Sequence, residues 1–170
     1  MYPLNRNRRL RSKESLRNLI TEHRLHPHDF IAPLFVVEGK NIKDPINSLP
    51  GYYRMSIDNL KKEVKSLWGL GIQAVLLFPK IDDKLKDNFG TEALNPNGLI
   101  QRAIKEIKNS IPEITIISDV ALDPYSIYGH DGVVKKNKII NDETNKVLSE
   151  MALSHASCGV DIVAPSDMMD

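Results

Sequence analysis

Four apolar runs constrain this chain more than any other feature. They are FIAPLFVVE (30–38), AVLLFPK (74–80), EITIISDVALD (113–123) and DIVAPSD (161–167). Each is nearly continuous in apolar residues rather than alternating, as a strand reads when it is buried in a parallel sheet. Segments of helical spacing lie between them. Ser56 opens a helix with Ile57, Leu60, Val64 and Leu67 on one stripe, ended by Gly69 and Gly71. NPNG (95–98) leads into a helix reaching about 110, with Leu99, Ala103, Ile104 and Ile107 as its stripe and Pro112 stopping the pattern. Asn141 can cap a third helix running to Gly159, with Asp142 and Glu143 in its first turn. The order is strand, helix, strand, helix, strand, helix, strand. It predicts an α/β protein of βαβ units, with four parallel strands and both sheet faces covered.

The remaining stretches are shorter signals. Residues 39–55 hold two prolines and two glycines and read as loop. VVKKNKII (133–140) reads as a small hairpin turning at Lys136-Asn137. Residues 12–23 read as a short helix that Ser12 can cap, with Leu16, Leu19 and Ile20 on one face. Residues 1–28 are therefore an arm with a short helix, and 29–170 the body. The arm is basic: Arg6, Arg8, Arg9, Arg11, Lys13, Arg17 and Arg24 stand against Glu14 and Glu22. A targeting peptide, a phosphate contact and a solvated arm all fit that composition. No stacking aromatics accompany it, and the net charge of +1 gives no argument for nucleic acid. No apolar run approaches the roughly 18 residues of a membrane span. A single cysteine, Cys158, excludes a disulfide framework and fits a reducing compartment, the cytoplasm or else a plastid or other organelle. The sequence closes on Met168-Met169-Asp170 just after a strand, so the expectation is part of a domain rather than the whole of one.

Chemistry-bearing residues gather at the C-terminal ends of the predicted strands, where parallel α/β folds build their sites. In DVALDPYSIYGHDG (119–132), Asp119, Ala121 and Asp123 share a face if the strand continues, and Gly129-His130-Asp131 follows. Such carboxylates and imidazole could hold Mg²⁺ or another hard cation, or a substrate ammonium. Asp-Pro and Asp-Gly are also common turn pairs, and spacing leaves both readings open. Ser166 and Asp167 could bind substrate or cap a following helix. Phe78 and Lys80 share a face at the end of the second strand. Lys80 could form a Schiff base if desolvated, although a loop lysine is usually solvated. His155 reads as a surface or boundary residue, Cys158 as a small filler, and His23, His26 and His28 as loop residues without metal-ligand company.

RRLR, PLFVVEG, LPGYYRMS, LFP, NPNGLIQRAIKEIK, SDVALDPY, GHDG, NDET and DIVAPSDMMD occur in order across nearly the whole chain. Together they resemble the amino-terminal half of the delta-aminolevulinic acid dehydratase (porphobilinogen synthase) family. The resemblance implies the first half of a (β/α)8 TIM barrel, strands one to four with helices outside. It also implies an amino-terminal arm that embraces a neighbour in a homo-octamer. The implied reaction joins two molecules of 5-aminolevulinate into porphobilinogen, in the synthesis of heme and other tetrapyrroles.

Residue by residue, the resemblance makes Asp119 the catalytic aspartate that holds the substrate amino group and assists proton transfer. Ser166 and Asp167 would line that site, and Phe78 would form an apolar wall. Zinc-using members carry three cysteines where this chain has Ala121, Asp123 and Asp131. Carboxylates suit a hard cation better than zinc, so magnesium is expected and zinc is not. Tyr128 stands where the family has histidine. The family's two Schiff-base lysines, its carboxylate-binding residues and its allosteric magnesium ligand all match nothing in this chain. Two rival readings stay open. One is a non-catalytic half-barrel that associates with full-length subunits; the other is a metal-dependent phosphoryl or carbonyl enzyme built on the aspartates.

Overall fold

The first apolar run forms a strand, and the other three line up beside it in chain order. The computed structural model describes every residue except 2, 130 and 131. A seven-residue helix, α1 (Glu14–Ile20), precedes the body. The body then runs β1 (Ile31–Val37), β2 (Lys43–Pro45), β3 (Tyr53–Met55), α2 (Ile57–Gly69) and β4 (Ala74–Lys80). It continues with α3 (Leu99–Ser110), β5 (Thr115–Val120), the hairpin strands β6 (Val134–Lys135) and β7 (Lys138–Ile139), α4 (Asn141–Ser157) and β8 (Ile162–Pro165).

The main sheet has six strands in the order β2-β3-β1-β4-β5-β8. The expected four are there, with β1, β4, β5 and β8 pairing parallel. The count of four needs correction, because β3 adds parallel to β1 and β2 antiparallel to β3. Both extra strands lie within 39–55, where prolines and glycines read as loop. Pro45 is compatible with β2 because that strand is an edge, where a missing N–H can be tolerated. Gly51 takes a φ of 86° between them, a left-handed conformation that a Cβ would strain.

A second correction concerns the faces. Helices α2, α3 and α4 pack side by side, α2 against β1 and β3, α3 against β1 and β4, and α4 against β5 and β8. They share one core with alternate strand residues: Leu34, Val36, Val75, Leu77, Ile116 and Val120 meet Leu60, Val64, Ile104, Ile107 and Met151. The opposite face carries an apolar rung, Pro33, Leu76, Ile117 and Ile162, and beyond it the rung of Phe35, Phe78 and Asp119, with no helix over them among the described residues. A continuous apolar run cannot tell helices on both faces from helices on one face and a curved wall of strands on the other.

Local signals worked unevenly. In α3 the apolar residues Leu99, Ile100, Ala103, Ile104 and Ile107 are all buried, as their spacing requires. Ser56 does precede α2, but its hydroxyl accepts from Ile42 N (2.8 Å) and donates to Asp58 (2.6 Å) instead of capping the helix. Asn141 is the first residue of α4 rather than its cap. Thr144 anchors that end, donating to Ile140 O (2.7 Å) and accepting from Val133 N (2.9 Å). Helix α1 is shorter than 12–23 and buries none of its residues; Leu19 is 79% exposed.

Candidate active site

Residues just beyond the C-terminal ends of parallel strands converge on one rim, and here the convergence includes opposite charges. Pairing puts Arg54 of β3 opposite Phe35 of β1, and Phe35 opposite Phe78 of β4. The β4–β5 register pairs Leu77 with Ser118, so Asp119 follows on the rung of Phe78. Asp119 in turn faces Ala164 of β8. Residues on one rung point to the same face of a sheet. The rung thus reads cation, ring, ring, carboxylate. The two phenyl rings stack with centroids 5.4 Å apart and planes at 23°.

These side chains line a cleft of about 480 Å³, together with Lys80, Lys86, Asp123 and Ser166. Asp119 is half-buried, and Ser166 Oγ donates to its Oδ1 at 2.6 Å. A hydroxyl donated to a carboxylate favours the ionised form and fixes its rotamer. The structure therefore brings together six of the residues singled out in the sequence: Phe78, Lys80, Asp119, Ala121, Asp123 and Ser166. Asp167 is absent from the cleft lining, and its Oδ2 accepts from Leu122 N at 3.3 Å, tying the segment after β5 to the segment after β8. Asp131 lies outside the described residues. Lys80 lines the cleft as an exposed residue at the end of β4.

The sequence reading missed Arg54, Lys86 and Phe35 as site residues. Arg54 was hidden because its strand was read as loop. Lys86 sits in a charged loop with nothing to distinguish it, and Phe35 looked like core. Once β1 and β4 are set in register, the Phe35–Phe78 pair is the available signal.

Two buried polar residues lie behind the site. Tyr125 is 1% exposed, and burial first, then the carboxylates of Glu92, Asp119 and Asp123, holds its phenol well above the usual range. His155 on α4 is fully buried, which corrects its reading as a surface or boundary residue. Its Nδ1 lies 2.9 Å from Ser118 Oγ, next to Asp119 in β5. Burial pushes its imidazole down to about 4, so it is neutral near pH 7. The signal was legible: Thr144, Leu148, Met151 and His155 form one buried stripe at helical spacing.

No group of three His, Cys, Asp or Glu that could hold a metal occurs among the described residues. Cys158 is partly buried, and it is the chain's one cysteine, so a three-thiolate centre cannot form within it.

Parallel strands feeding one rim, an apolar floor and a hydrogen-bonded carboxylate are features that small-molecule clefts of α/β enzymes share. The family model for delta-aminolevulinic acid dehydratase matches residues 4–170, and the chain belongs to that family. The family is one of enzymes. Delta-aminolevulinic acid dehydratase from Chlamydia pneumoniae is 48% identical over 165 residues, covering 97% of this chain and 50% of the relative. The Bacillus subtilis protein is 46% identical, with 98% and 51% covered. The solved structure of the Toxoplasma gondii ME49 enzyme, in complex with the reaction product porphobilinogen, superposes with a TM-score of 0.94 at 45% identity. That match covers 98% of this chain and 47% of the other. The chain thus spans about half the length of these relatives.

Proposed function

We propose that this chain is the amino-terminal part of a porphobilinogen synthase, which condenses two molecules of 5-aminolevulinate into porphobilinogen. The observation that carries this reading is Asp119, held by Ser166 beside the Phe35–Phe78 floor at the C-terminal strand ends. Its relative from Toxoplasma gondii, bound to porphobilinogen, supports the ligand class. In this reading Asp119 holds the substrate ammonium and takes part in proton transfer. Ser166 orients that carboxylate, Phe78 forms the apolar wall, and Asp167 braces the two strand ends. The open sheet face becomes the interior of a (β/α)8 barrel, closed by strands beyond these residues. Imine formation needs a lysine amine, and the matching lysines would come from those strands. Asp123 and Asp131 would take a hard cation such as magnesium rather than zinc. The basic arm would join subunits into an octamer, and the single cysteine favours the cytoplasm.

The test is Asp119→Asn in the complete protein. The variant is expected to fold normally and to turn over 5-aminolevulinate about 10²–10⁴-fold more slowly. Porphobilinogen formation at the unaltered rate would remove Asp119 from the chemistry.

A further inference from the structure

We infer that His155 and Ser118 form a positioning pair for Asp119: from the helix side of the sheet, their hydrogen bond sets where β5 presents the reactive carboxylate. This role rests on the reading of Asp119 given above and deepens it. His155 Nδ1 lies 2.9 Å from Ser118 Oγ, across 37 positions of sequence, and both residues are fully buried. Ser118 immediately precedes Asp119 in β5, and successive strand residues point to opposite faces. Ser118 therefore faces α4 while Asp119 lines the cleft. Backbone pairing with Leu77 of β4 and Val163 of β8 fixes Ser118 within the sheet. The depth of that residue relative to the helix layer is left to side-chain contacts. On the same face of β5, Ile116 and Val120 make apolar contacts, which tolerate repacking. A hydrogen bond prescribes both distance and direction.

Stability alone does not account for a histidine here. His155 Nε2 has no partner among the described residues, and a buried polar atom left unpaired is unfavourable. An apolar side chain of similar volume would fill the place without that cost. What the imidazole adds is a fixed link between α4 and the strand that carries Asp119. The same helix is tied at its other end to the segment after β8. Asn141 Oδ1 accepts from Asp170 N at 2.8 Å, and Asn145 Nδ2 donates to Asp170 O at 2.6 Å. That segment begins at Ser166, which holds Asp119 Oδ1. Helix α4 thus ties both members of the Ser166–Asp119 contact to one rigid element. Neither His155 nor Ser118 lines the cleft, so both act through Asp119.

The test measures porphobilinogen formation from 5-aminolevulinate by the complete protein, with thermal melts verifying that each variant is folded at the assay temperature. Ser118→Ala and His155→Leu are each expected to lower kcat/KM about tenfold, inside the roughly 10²-fold that misplacing a reacting group by about 1 Å can cost. The double variant should be no slower than either single one, because both remove the same bond. His155→Asn, whose amide offers a donor or an acceptor where Nδ1 stood, should recover most of the loss seen in His155→Leu. In the Asp119→Asn background, Ser118→Ala should change the residual rate by less than about twofold, because no carboxylate is left to position. A purely structural effect would slow both backgrounds by the same factor. The inference is overturned if Ser118→Ala matches the wild type, if it costs the same factor with and without Asp119→Asn, or if a folded His155→Asn is as slow as His155→Leu. Should the His155 variants fail to fold, the Ser118→Ala comparisons decide alone. An active wild type matched by Ser118→Ala leaves the functional reading standing and removes only this inference. A complete protein that makes no porphobilinogen removes both.

Discussion

At the scale of residues, the buried imidazole behind the site makes the sharpest physical claim. His155 titrates in the unfolded chain near the usual 6.5 but in the folded protein only at about 4. Between those values the unfolded state binds the extra proton, so stability rises with pH across that window. The contribution is complete above about pH 6.5 and is lost as pH falls toward 4, with a total on the order of 3 kcal/mol. Urea midpoints taken at pH 7 and pH 5 should therefore fall more steeply for the wild type than for His155→Gln. Equal slopes for the two proteins would show that the imidazole does not carry this dependence. Residues whose roles depend on a neighbouring strand were the least legible in the sequence. Asp119 and Ser166 stand 47 positions apart, and their contact follows from the β5–β8 register rather than from any local pattern. Phe78 and Asp123 could be placed because their strand ends were readable. Arg54 could not, because three residues within a proline- and glycine-rich stretch carry no strand period.

Among elements, the β6–β7 hairpin shows a turn whose geometry and sequence disagree. Lys136 and Asn137 take φ values of 49° and 59°. Two consecutive left-handed residues are the type I′ arrangement that matches strand twist, and Asn-Gly is its preferred pair. Lysine in that conformation costs about 1 kcal/mol or more relative to glycine. Replacing the pair through Lys136→Asn and Asn137→Gly is expected to stabilise the hairpin by roughly 0.5–1 kcal/mol. Slower amide exchange at Val134 and Ile139 would report it, and unchanged exchange would count against a strained turn. The hairpin itself was readable from two short β-branched runs around Lys136-Asn137. Its fastening was not. Asn88 Nδ2 donates to Val134 O (3.0 Å) while Val134 N donates to Asn88 Oδ1 (2.9 Å), a side-chain imitation of strand pairing across 46 positions. Helices followed the same division. Those with a wide apolar stripe, α2 and α3, were placed closely by spacing. Helix α4 was placed, but its buried stripe was not read, because two of its four buried residues, Thr144 and His155, are polar.

For the whole molecule, the open apolar rung and the unpaired outer edge of β8 set the expected solution behaviour. Ile162 is 47% exposed and Val163 37%. Unpaired strand edges with apolar side chains recruit further strands. The polypeptide 1–170 is expected to self-associate, and Ile162→Lys should shift it toward monomer in light-scattering measurements. A wild-type monomer at high concentration would show that the face is satisfied within the chain. Metal content tests another property of the whole protein. On the proposed reading Asp123 and Asp131 take a hard cation rather than zinc, so elemental analysis of the complete protein is expected to find no stoichiometric zinc. Tightly held zinc, lost together with activity on chelation, would contradict the proposal. The alternation of strand and helix made the class of fold legible from the sequence, yet the one-sided helical layer was not, because a strand's apolar run records how much it buries and not what covers it.

The spatial order β1-β4-β5-β8 repeats the order in which these strands leave the ribosome, and β3 and β2 join the other edge of β1 directly after it. Helices α2, α3 and α4 each return the chain to an edge that already exists; among the strands of this sheet β3 alone settles between two earlier ones, β1 and β2. Few contacts within the sheet therefore wait on distant sequence, and loop closure for each new strand spans one helical crossover. From β4 onward synthesis can then build the sheet strand by strand, β5 joining β4 and β8 joining β5. During that growth the exposed edge and the apolar rung are the surfaces that a chaperone would meet.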